Sequence, residues 1–61
     1  MTDIQKKITD YLNPNYLNPA GPMSDFTLRC FVGMIETGEA TLADFEAVGG
    51  IELRRKVEAR L

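Results

Sequence analysis

The sequence predicts an all-α fold, a small three- to four-helix bundle with a central apolar helix over about residues 24–37. Three observations lead there. Apolar residues recur at helical spacing, three and four apart, in each segment of the chain. A residue suited to capping a helix, Thr2, Ser24 or Thr41, stands ahead of three of these segments. The breakers fall between the segments: Pro14, Pro19 and Pro22 lie in one stretch, and Gly38 and the Gly49-Gly50 pair mark two further interruptions. The whole chain, 1–61, reads as a single domain.

Thr2-Asp3-Ile4-Gln5 fits a capping box, in which the threonine side chain reaches forward and the glutamine side chain reaches back. Ile4, Ile8, Tyr11 and Leu12 then form one apolar stripe, so the first helix is expected over about 3–12. Pro14 ends it, because a residue preceding proline is driven out of the α region. The linker, 13–22, repeats Tyr-Leu-Asn-Pro at 11–14 and 16–19, and each Asn-Pro marks a turn. Tyr16 and Leu17 in this linker either fold back over the central helix as a lid or stand out as a docking epitope. Proline stiffness suits the second role by reducing the entropy lost on docking.

Ser24 is the expected cap of the central helix, with Asp25 placed against the positive end of its dipole. Gly38 stops it. Stepping at about 100° per residue puts Asp25, Arg29 and Glu36 on one narrow sector. Phe26, Leu28, Cys30, Phe31, Val32, Met34 and Ile35 fill the rest, an apolar arc of roughly 240° against the roughly 100° stripe of an ordinary surface helix. Leu28, Phe31, Val32 and Ile35 have the spacing of an intramolecular stripe. Met34 and the two phenylalanines are either simply core, or the side carrying Phe26, Cys30 and Met34 meets a second copy of the chain or another protein. Gly33 costs about 1 kcal/mol of helix propensity and opens a place where another helix can approach closely.

Thr41 and Asp44 begin a third helix, about 42–48, with Leu42, Phe45 and Val48 on one side. After Gly49-Gly50 a fourth is expected over 51–61, with Leu53, Val57 and Leu61 on one face and Glu52 and Lys56 as an i, i+4 pair. Charge is segregated along this half. Glu36, Glu39, Asp44 and Glu46 have no basic residue among them, and 54–60 carries four basic residues against Glu58. Dipole matching accounts for this pattern, and so does steering of a partner.

Phe45, Val48, Gly49, Gly50 and Ile51, followed by Arg54, Arg55 and Lys56, resemble the helix-hairpin-helix family of DNA-backbone binders. The resemblance covers about 15 residues. It implies that a Gly-hydrophobic-Gly turn offers backbone N–H groups to a phosphate, while Gly50, Arg54, Arg55 and Lys56 make the contact. Glu52 stands where the family has its second glycine.

Other function classes find no support in the residues. With one cysteine and no histidine, an internal disulfide and a Cys/His metal site are both excluded. Cys30 has apolar neighbours and no histidine to activate it, so no catalytic residue is assigned. Glu36, Glu39 and Asp44 lack the spacing of a calcium loop. Neither a cofactor nor a small-molecule substrate is evident. A net charge of −2 counts against nucleic acid as the main partner. No membrane span is expected, since the longest apolar run is Cys30-Phe31-Val32, and the polar start MTDIQKKITD does not read as a signal peptide. A lone cysteine suits a reduced, cytoplasmic setting. A 61-residue domain buries only about 60% of its unfolded surface and is marginal alone. Taken together, the sequence leads to a small, non-enzymatic, intracellular protein-binding module acting as a homo-oligomer, with Phe26, Cys30, Met34, Tyr16 and Leu17 as its contacts.

Overall fold

The computed structural model describes residues 1–13 and 24–61. Among them are three helices and no strand: α1 Asp3–Tyr11, α2 Asp25–Glu36 and α3 Leu42–Glu58. Each starts where a side chain takes up an N–H group at the helix entry. Thr2 Oγ1 accepts from the Gln5 N–H at 3.2 Å, and the Thr2 N–H donates to Gln5 Oε1 at 3.1 Å. Ser24 Oγ accepts from the Thr27 N–H at 3.3 Å. The Asp44 carboxylate accepts from the Thr41 N–H at 2.9 Å. α2 closes on Gly38, whose φ of 80° is left-handed, with the Gly38 N–H donating to the Ile35 carbonyl at 3.0 Å.

The expected helices at 42–48 and 51–61 are the two arms of one bent element. Gly50 has φ 75° and ψ −174°, a backbone conformation essentially confined to glycine, while the residues on either side remain helical. Gly49 serves the bend differently. A Cβ there would lie 2.5 Å from Leu53 Cδ2 and 2.7 Å from Leu53 Cβ, so only a bare backbone fits beside Leu53. On a straight helix Val57 would sit about 120° round from Phe45. The bend lets Phe45, Leu53 and Val57 enter one core. Arg54 reaches back across it to Glu46, at 3.1 Å.

α1 and α2 both pack on α3, which makes the bent helix the shared support of the bundle. Phe31 of α2 joins all three elements. Its ring meets Tyr11 of α1 edge-on, with centroids 6.0 Å apart, and Phe45 of α3 at 4.9 Å. Around it lie Ile8, Leu28, Met34, Ala40, Phe45, Leu53 and Val57, with Ile4, Tyr11, Leu12, Ile35, Leu42 and Val48 partly buried against them.

The buried face of α2 is turned from the one the sequence favours. With Phe31 held between Tyr11 and Phe45, the residues one turn away on either side come inward: Thr27, Leu28, Met34 and, partly, Ile35. Val32, about 100° round from Phe31, is only half-buried. Thr27 is fully buried, with its Oγ1 3.3 Å from Ser24 Oγ, so its hydroxyl is not left without a partner. Among the described residues, no helix is long and apolar enough to cross a membrane.

Candidate functional site

With its buried face fixed by Phe31, α2 turns a second apolar strip outward. Phe26, Cys30 and Gly33 follow one another at i, i+4, i+7 along it. The Phe26 side chain is exposed (58%), whereas Cys30 and Gly33 are half-buried. Cys30 is a free thiol.

Gly33 differs from the other glycines among the described residues. Gly38 and Gly50 have positive φ, and Gly49 lies against Leu53. At Gly33 φ is ordinary, and a Cβ would meet nothing within 4 Å. The isolated chain therefore has no steric need for glycine there, yet it carries the helix cost of about 1 kcal/mol.

Met34 does not belong to this strip. It is 5% exposed and lies in the core beside Phe31, so its assignment as a contact residue is corrected. Three residues on from Phe31, it shares the inward face, whereas Phe26 and Gly33 lie well round the helix from it. Tyr16 and Leu17 lie outside the described residues. Ile51, just past the bend and noted in the sequence only for its place in the Gly-hydrophobic turn, is an exposed large apolar residue.

Part of the segregated charge is matched among the described residues, through Glu39, Glu46, Arg54 and Arg60. Lys7 donates to Glu39, tying α1 to the turn between α2 and α3. Arg60 donates to Asp25, tying the C-terminal end to the start of α2, and Arg29 adds a contact to the same carboxylate at 2.9 Å. Arg54 is engaged with Glu46. Glu52 and Lys56 do not form the expected i, i+4 pair and are both exposed. Of the basic residues picked out for nucleic acid, only Arg55 and Lys56 are exposed without an ion pair. Gly50 makes a sharp turn as that reading needs, but the exposed Glu52 carboxylate stands two residues further on, after Ile51.

Arg60, and then Arg29, hold the Asp25 carboxyl below the usual carboxylate range. Because the folded-state value is depressed, the stabilisation is present above the unfolded value and is lost as pH falls through the folded one. Asp25→Asn is expected to lower the melting temperature at neutral pH, with the gap from the parent closing below about pH 4. A thermal-melt series from pH 7 to pH 2 measures this, and a gap that stays constant over that range would contradict the pairing.

Among the described residues no group of three or more His, Cys, Asp or Glu side chains is placed to hold a metal ion. Compared with protein-family models, curated proteins and solved structures, the chain matches none of them.

Proposed function

We propose that this chain is a small cytoplasmic protein-binding module, an adaptor, regulator or inhibitor, that docks through the Phe26–Cys30–Gly33 strip of α2. The observation that carries the reading is Phe26, a large aromatic side chain left 58% exposed on a helix whose opposite face fills the core. A phenylalanine buries roughly 150–250 Å² when covered, and aromatic residues are enriched where protein surfaces meet. Gly33, two turns along the same face, supplies the complementary feature: a bare stretch of backbone against which a partner's side chain or helix can pack closely. In this reading α2 is the central, over-apolar helix, and the arms of α3 on either side of Gly50 act as two short helices bracing it. The module works by occluding or bridging its partner rather than by chemistry.

Homo-oligomerisation is the first form of the proposal, because a 61-residue core has little stability to spare and association adds to it. A photo-crosslinking residue placed at position 26, and at exposed Lys6 as a control, tests the proposal in the native host. Position 26 is expected to give a discrete adduct that position 6 does not. An adduct at twice the chain mass identifies a second copy, and any other discrete mass identifies a different protein. Equal, diffuse labelling at both positions would overturn the reading. In purified protein, Phe26→Asp is expected to abolish any concentration-dependent rise in sedimentation coefficient while leaving the monomer's melting temperature within a few degrees of the parent. Association that survives Phe26→Asp would exclude this face as the self-contact.

A further inference from the structure

We draw no further inference here: the strongest candidate, the Phe26–Cys30–Gly33 strip on the outer face of α2, belongs to the site already described, and nothing in the structure shows what covers it.

Discussion

Phe31→Ala is expected to remove most or all of the cooperative folding of this chain. Phe31 is fully buried and, among the described residues, is the one side chain whose ring meets aromatic rings on both other helices. Truncating a buried phenylalanine costs about 3–5 kcal/mol, because the apolar transfer energy is lost and a cavity remains. At 0.05–0.15 kcal/mol per residue, a 61-residue domain has about 3–9 kcal/mol in total. The loss therefore approaches the whole. Far-UV circular dichroism with thermal melting is the measurement. A cooperative transition within about 10 °C of the parent would mean that Phe31 is not the common junction of the bundle.

The second large effect is expected at the bend. Gly50→Ala places a Cβ on a backbone with φ 75° and ψ −174°, a conformation that costs non-glycine residues of order 1–3 kcal/mol. The backbone can escape that strain only by straightening α3, which draws Leu53 and Val57 out of the core. Gly49→Ala is expected to destabilise for a different reason, overpacking against Leu53, at roughly 1–3 kcal/mol less the helix propensity gained by alanine. Gly33→Ala is expected to have the opposite sign in the monomer. It removes a mid-helix glycine where nothing obstructs the new methyl group, so it gains about 0.5–1 kcal/mol. Urea denaturation of the three variants reads the signs directly. Gly50→Ala proving as stable as Gly33→Ala would contradict the backbone geometry of the bend.

The helix starts and stops were legible because each is a local event. Thr2 with Gln5, Ser24 with Thr27, and Thr41 with Asp44 are partners three residues apart, and Gly38 needs only its own φ. The inward face of α2 was legible only in part: Leu28, Phe31 and Ile35 turn inward as their spacing predicts, but Thr27 and Met34 complete the face where Val32 was expected. An apolar arc of roughly 240° accommodates several different buried faces equally well. What selects among them is the position of Tyr11 and Phe45, residues distant in sequence from Phe31. Thr27 hid the true centre further, since a threonine in the middle of the buried face breaks the apolar pattern, and its contact with Ser24 helps make its burial tolerable. Met34 and Phe26 are equally apolar in sequence, and the structure separates them into core and surface.

The same division holds for the charges. Asp25–Arg29 is an i, i+4 pair and can be read from spacing. Lys7–Glu39 and Asp25–Arg60 join residues 32 and 35 apart, so the sequence offers only a suggestion of excess charge to be used elsewhere. Once the helices are packed, these charges meet each other, and the case for steering a partner is correspondingly reduced. At Gly49-Gly50 an interruption was evident from two adjacent glycines. The helix is expected to bend or split there, and it bends: Gly50 alone leaves helical values, with φ 75° and ψ −174°, and the two arms stay joined.

One division of labour along α2 underlies the proposed docking face: Met34 serves the chain's own core and Phe26 is left exposed. Chemical denaturation of Met34→Ala and Phe26→Ala, at a protein concentration low enough to keep the chain monomeric, measures that division. Met34→Ala is expected to cost about 2–5 kcal/mol, and Phe26→Ala to stay within about 0.5 kcal/mol of the parent. Equal losses for the two in the monomer would place Phe26 inside the core and leave the proposed docking face without its anchor.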